Sequence, residues 1–350
     1  MGTPAYAMAP PPYFGGKSQV LRWVFNAVAG GLPRASWQSA TFVDAFHGGG
    51  SVALAAKRHG FRVLANDLAE RSVLVGEALL VNDRVVLTAA DEQRLHAPHP
   101  NAEPYIAERF VPDFFLEGHA RWLDNAFAHA ASTADAAKRQ LIRLVLMHAI
   151  LRIRPFADFA RTEVTQRFAE GDYDAIRSLS IGGIKRLINL TPSRLIEGLC
   201  ARVNAGVFSN GRSGHAIHRG DALDFVGAVE GEVLYLDPPY FGSNAYEAVY
   251  RTLDQILERR EQPRERSAFN QAGAIELLDA LLARAAHFPV WVLSFGGGKI
   301  THEQCLALVQ RHRPARLMPI AIRYVYGTAS HGDSGRRSEI LIVARREGWK

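Results

Sequence analysis

Thr41-Phe42-Val43-Asp44-Ala45-Phe46-His47-Gly48-Gly49-Gly50-Ser51 runs from apolar residues through an acid and three glycines to a hydroxyl residue. The apolar run reads as a buried strand, the glycines as a tight loop, and Ser51 as the cap of a helix that continues through Lys57 and Arg58. Gly60 ends that helix. Phe61-Arg62-Val63-Leu64-Ala65 is then a second strand, closing on Asn66-Asp67. A helix between two strands is a crossover too long for a hairpin, so the strands pair in parallel and the fold is α/β.

On the N-terminal side, Val20, Leu21, Val24, Phe25 and Val28 fall at helical spacing, which predicts a helix over 17–29 after the Gly15-Gly16 turn. On the other side, residues 81–214 are mostly helical in pattern and uneven in charge. Residues 81–137 hold 4 Lys or Arg against 9 Asp or Glu, whereas 138–214 hold 13 against 6. Strand-helix rhythm returns with Val233-Leu234-Tyr235-Leu236, the amphipathic run Ile275 to Ala286 and the strand Val290-Trp291-Val292-Leu293. A closing pair is expected near Ile320–Tyr326 and Glu339–Val343. The expected organisation is a core from 10–80 and 215–350, interrupted by a mostly helical, partly basic domain at 81–214.

Composition narrows the function classes. With 48% hydrophobic and 22% charged residues among 350, the chain has the profile of a folded globular protein rather than a disordered one. Its formal charge of +6 suits a polyanionic partner without demanding one. Cys200 and Cys305 stand far apart, which argues against a disulfide framework or a structural zinc site. Of the 13 histidines, His96/His99 and His215/His218 are the closest pairs, read as solvated or packed side chains rather than ligands, so no metal is expected. No charged start precedes an apolar run, and no stretch of 18 uncharged apolar residues occurs, so neither signal peptide nor membrane span is expected and a cytoplasmic location follows.

Asp237-Pro238-Pro239-Tyr240 carries the most specific chemistry. It follows four apolar residues, at the carboxyl edge of a parallel strand, where open α/β sheets bind ligands. Consecutive prolines fix the backbone and remove two donors, leaving carbonyl oxygens to accept. Asp237 adds a carboxylate acceptor and Tyr240 an aromatic face, so the set suits an NH2 group on a flat ring. Gly15-Gly16-Lys17-Ser18 superficially matches the end of a phosphate-binding loop, but Pro10-Pro11-Pro12 forbids the strand that such a loop requires. Asp67, 23 residues beyond Asp44, stands where an acid accepts from ribose hydroxyls in nucleoside-binding βαβ units.

Taken together, these motifs resemble the Dam-like, class-alpha family of adenine-N6 DNA methyltransferases, in which the DPPY motif holds a flipped-out base. Pro12-Tyr13-Phe14-Gly15-Gly16-Lys17 is similar to the family's aromatic-x-Gly-Gly-Lys segment, and Phe42 to Ser51 to its glycine-rich first motif, with Ala45 where proline is usual. Gly220-Asp221-Ala222 precedes the catalytic strand as in the family, and Arg336-Arg337-Ser338-Glu339-Ile340-Leu341-Ile342 resembles its closing strand. The resemblance implies a Rossmann-like methyltransferase sheet, mostly parallel with an antiparallel C-terminal strand, and an inserted target-recognition domain. It implies S-adenosylmethionine as cofactor, bound by Tyr13, Gly15, Gly16, Lys17, Asp44, Phe46, Gly48, Gly50, Asp67, Asp221 and Ala222. Asp237, Pro238, Pro239 and Tyr240 become the catalytic set for direct in-line transfer to adenine N6 in double-stranded DNA, beside a possible cognate restriction endonuclease.

Arg139, Arg143, Arg152, Arg154, Arg161 and Arg167 alternate with apolar residues, and a positive face over phosphates would explain them. Arg143, Arg152, Arg154, Arg161 and Arg167 are the expected DNA contacts. A solvated face with intrahelical ion pairs explains the same alternation. Two other readings of the whole chain stay open: a methyltransferase acting on another NH2 group, such as cytosine N4, RNA adenine or protein glutamine, and a silent DNA-binding protein on this scaffold.

Overall fold

The computed structural model describes residues 5–13, 16–154, 159, 162–171, 190–239, 246–261, 268–270, 273–296, 300–320 and 339–348. The chain divides into two compact units, one formed by 1–16, 69–209 and 248–263, the other by 17–68, 210–247 and 264–350.

Among the described residues, the second unit is built on seven strands in the order β3-β2-β1-β4-β5-β7-β6. β1 (Thr41–Asp44), β2 (Arg62–Asp67), β3 (Ala216–Arg219), β4 (Val233–Leu236) and β5 (Val290–Phe295) run parallel. β7 (Glu339–Arg345) pairs antiparallel with β5, and β6 (Ala315–Ile320) antiparallel with β7. The mostly parallel sheet with an antiparallel C-terminal edge is thus the architecture read from sequence. β4 and β5 are buried at every residue, as expected for central strands covered on both faces.

Helix Leu21–Gly31 buries Val24, Phe25 and Val28, the residues spaced for it, and packs on β5 and β7. A Cβ on Gly31 would lie 2.5 Å from the Val290 side chain, so the close approach of this helix to β5 requires glycine. The helix begins four residues later than periodicity suggested, because 18–20 form a turn that presents Lys17. On the other side of the sheet, Phe225, Leu278, Leu281, Phe288, Trp291 and Ile342 belong to one apolar cluster. β1 departs toward β2 on one side, while β4 lies on the other side of β1. That reversal opens the crevice at the carboxyl ends of β1 and β4.

Two differences from the expected sheet have local causes. β3 was not anticipated because Ala216-Ile217-His218-Arg219 is an edge strand with no buried residue and no apolar run. The penultimate strand occupies Ala315–Ile320 instead of starting at 320, and 321–326 lie outside the described residues.

In the first unit, helix Ala136–Ile153 is the central element. Eleven of its 18 residues are buried, on all sides, so it shows no single apolar stripe. Helix Glu117–Ala131 and the shorter helices Pro192–Ile196 and Leu199–Asn204 pack around it. Asp135 caps its start by accepting from Lys138 N at 3.0 Å. Residues 69–80, expected in the sheet core, belong to this unit, as does 248–263: Arg71 pairs with Asp254 and lies over the Tyr250 ring at 4.4 Å.

Candidate functional site

At the carboxyl edge of the sheet, three segments are laced together by one side chain. Asn66, buried at the end of β2, donates to Ala45 O at 3.5 Å and to Gly220 O at 3.0 Å. His47 N donates to Asn66 O at 2.9 Å, and Ala45 N to Tyr235 O at 3.1 Å. The ends of β1, β2 and β4 and the entry to helix Ala222–Ala228 are thereby held as one rim.

The glycine-rich loop follows. Gly48 (φ 52°) and Gly50 (φ 79°) take left-handed conformations that L side chains rarely adopt, which explains glycine at both. Gly48 N donates to Asp67 Oδ2 at 2.8 Å, so this loop and the acid of β2 are locked together. Phe46 sets its ring edge-on to Phe269 at 5.2 Å. His47, which sequence reading passed over, is buried, and among the described residues neither ring nitrogen has a hydrogen-bond partner. Burial pulls its pKa down to about 4 against the opposing pull of Asp67, so the ring is neutral.

Asp44 is also buried and accepts from Phe46 N at 3.3 Å. Burial, with Asp237 adding its charge, pushes the Asp44 carboxyl up to about 8. Asp237, directly beyond β4, pairs through Oδ2 with Lys17 Nζ at 2.8 Å. Burial raises Asp237 to about 6, with Lys17 pulling it down and Glu339 pushing it up. Lys17 also reaches Glu339 Oε1 at 3.2 Å, and Ser294 Oγ donates to that same oxygen at 2.5 Å. Pro238 is buried and Pro239 half-buried; Tyr240 lies outside the described residues.

Other expected residues fall as follows. Asp221 accepts from Leu223 N at 2.7 Å and so caps helix Ala222–Ala228, with Ala222 buried behind it. Tyr13 belongs to the first unit, where its ring stacks on Tyr250 at 5.1 Å and its hydroxyl accepts from Arg71 at 3.2 Å. Gly16 N donates to Tyr13 O at 3.0 Å, and a Cβ on Gly16 would lie 3.0 Å from that oxygen; Gly15 lies outside the described residues.

The arginines are corrected in part. Arg154 is completely buried, donating to Phe114 O and Asp113 O, both at 2.9 Å, and to Thr165 Oγ1, which leaves no surface for a phosphate. Arg152 donates to Leu195 O at 2.7 Å and Glu197 O at 3.1 Å, closing the end of a neighbouring helix. Arg143 pairs with Glu70 at 2.7 Å and donates to Leu257 O at 3.1 Å. Arg167 is exposed, and Arg161 lies outside the described residues.

Comparison with known proteins bears on this rim directly. Residues 13–151 match the family model of the D12 class N6 adenine-specific DNA methyltransferases, a span that holds the Tyr13–Lys17 segment, the glycine-rich loop and Asp67. Over 336 residues the chain is 24% identical to the type II methyltransferase M2.HphI of Haemophilus parahaemolyticus, covering 95% of this chain and 96% of that protein. The chain is thus similar to the D12 class of N6 adenine-specific DNA methyltransferases over residues 13–151, and to a type II methyltransferase over nearly its whole length.

Proposed function

We propose that the chain methylates adenine N6 at a specific DNA sequence, with S-adenosylmethionine as donor and Asp237 as the acceptor that orients the amino group. The single observation carrying this reading is the placement of Asp237. It sits at the switch-point edge of the sheet with Oδ2 held by Lys17, while no described residue hydrogen-bonds Oδ1. Donation of one amino hydrogen to Oδ1 and the other to the Pro238 carbonyl favours a pyramidal nitrogen, whose lone pair then leaves the ring. Tyr240 completes the set by stacking on a base taken out of the duplex, offsetting part of a flipping cost of a few kcal/mol.

The residues present fit the donor. Its ribose hydroxyls need an acceptor at the end of β2, where Asp67 stands against the Gly48 backbone. Its positive charge needs acidic surroundings, which Asp44, Asp67 and Asp237 supply along adjacent strand ends. S-Adenosylmethionine supplies, when bound, a methyl group on a sulfonium. The protein's own work is to aim the nitrogen lone pair and to hold both reactants in register, which removes much of the entropic barrier. Duplex DNA is the substrate, and a restriction endonuclease reading the same site is the natural companion of a type II enzyme.

Tritiated-methyl transfer to an adenine-containing duplex tests this reading, with long-read sequencing of DNA from expressing cells to report the base and its context. Asp237→Ala is expected to abolish transfer while donor binding persists. Normal methylation by that variant would refute the assignment.

A further inference from the structure

Glu339 is the buried acid that the catalytic motif does not contain. It opens β7, the antiparallel neighbour of β5, and so lies at the same edge of the sheet as Asp237 beyond β4. Its side chain is 4% exposed and meets the 4%-exposed ammonium of Lys17. Ser294 of β5, between the two strands, pins the Glu339 oxygen that Lys17 touches. One cation therefore contacts both carboxylates. Removing a carboxylate and its solvation shell from water is expensive, so a second one is retained here against a cost.

We propose that Glu339 is a positioning residue for methyl transfer: by sharing the Lys17 ammonium it keeps that cation on Asp237 Oδ2 and leaves Oδ1 facing the amino group. This rests on the reading of Asp237 given above. Without Glu339 the ammonium's hold on Asp237 strengthens, and Asp237 then accepts a weaker hydrogen bond from the substrate. Glu339 also makes Asp237 more basic by like-charge repulsion. Among the described residues, the other titratable groups facing Asp237 are Lys17, Asp44 at the end of β1 and Tyr235 on β4, whose buried hydroxyl has no hydrogen-bond partner among them. None of them changes in the variant below.

The test is Glu339→Gln, which keeps shape and removes charge. In donor-free protein labelled with carbon-13 at aspartate carboxyls, with Asp237→Asn assigning the resonance, the Asp237 midpoint is expected to fall by about one pH unit, a tenfold loss of proton affinity. The acid limb of single-turnover transfer is expected to move down by the same amount, while the plateau rate falls. An unchanged midpoint and limb, with only a lower melting temperature, would mean that Glu339 is merely structural and overturn the proposal. If Glu339→Gln does not fold, Ser294→Ala decides: Glu339 protonates sooner, the Asp237 midpoint drops about threefold in proton affinity, and no change is again fatal. Methylation by Asp237→Ala would sink the functional reading instead, leaving this electrostatic coupling standing.

Discussion

Replacing Asp44 by Asn should stabilise the donor-free protein while impairing its function, and the size of the gain should depend on pH in a defined way. The Asp44 carboxyl is raised from 3.8 to about 8, chiefly by burial and then by Asp237. Its folded pKa lies above its unfolded one, so its favourable contribution is fully present below about pH 4 and is lost as pH climbs through about 8. At 1.36 kcal/mol per unit, about four units set an upper bound of roughly 5–6 kcal/mol above pH 8. Local relaxation and water entry reduce this to about 2 kcal/mol. Asparagine keeps the oxygen that accepts from Phe46 N at 3.3 Å, so the change isolates the charge. Urea unfolding of both proteins at pH 4, 6, 7.5 and 9, without donor, gives the comparison. The two curves should coincide near pH 4, with Asn pulling ahead toward pH 8 and holding its lead above it. A gap that stays constant with pH, or an Asn variant less stable throughout, would refute the argument. Titration calorimetry with S-adenosylmethionine should show the opposite preference, because the acid that burdens the empty site favours a cation within it.

Two further outcomes follow from the rim and from the first unit. Asp67→Asn should weaken donor affinity 10- to 100-fold, the equivalent of a charged hydrogen bond of about 1.5–3 kcal/mol; unchanged calorimetric affinity would remove Asp67 from the pocket. Arg154→Met should cost about 2–4 kcal/mol of stability by orphaning Phe114 O, Asp113 O and Thr165. It should leave the salt dependence of DNA binding untouched, whereas Arg167→Ala should lower that log–log slope by about one and barely alter stability. Equal slopes for wild type and Arg167→Ala would take Arg167 out of the interface.

The central strands were legible because burial on both faces forces an apolar run, and each run ends at its chemistry: β1 at Asp44, β2 at Asp67 and β4 just before Asp237. The loop at 47–50 was legible because left-handed backbone selects glycine. What escaped was cooperation between distant residues. Asn66 gives no signal in its own segment, since its partners are the backbones of Ala45 and Gly220. Glu339 stood within a recognisable closing strand, but only the antiparallel pairing of β7 with β5 brings it to Lys17.

The arginines show why alternation of charge and apolarity misleads on a buried helix. Within Ala136–Ile153, an arginine among apolar neighbours reads as one polar stripe only if the opposite face is the buried one. This helix is buried all round, so its cations cannot all reach water. Desolvating guanidinium is tolerable where several acceptors converge, and helix ends and turns supply unsatisfied carbonyls. Arg152 takes the carbonyls of Leu195 and Glu197, Arg154 those of Asp113 and Phe114, and Arg139 that of Thr133. Five donors in a planar fork suit this bridging better than a lysine ammonium would. The excess of positive charge over 138–214 is thus partly spent inside the first unit, and among the arginines expected on DNA it is Arg167, exposed, whose part the salt dependence decides.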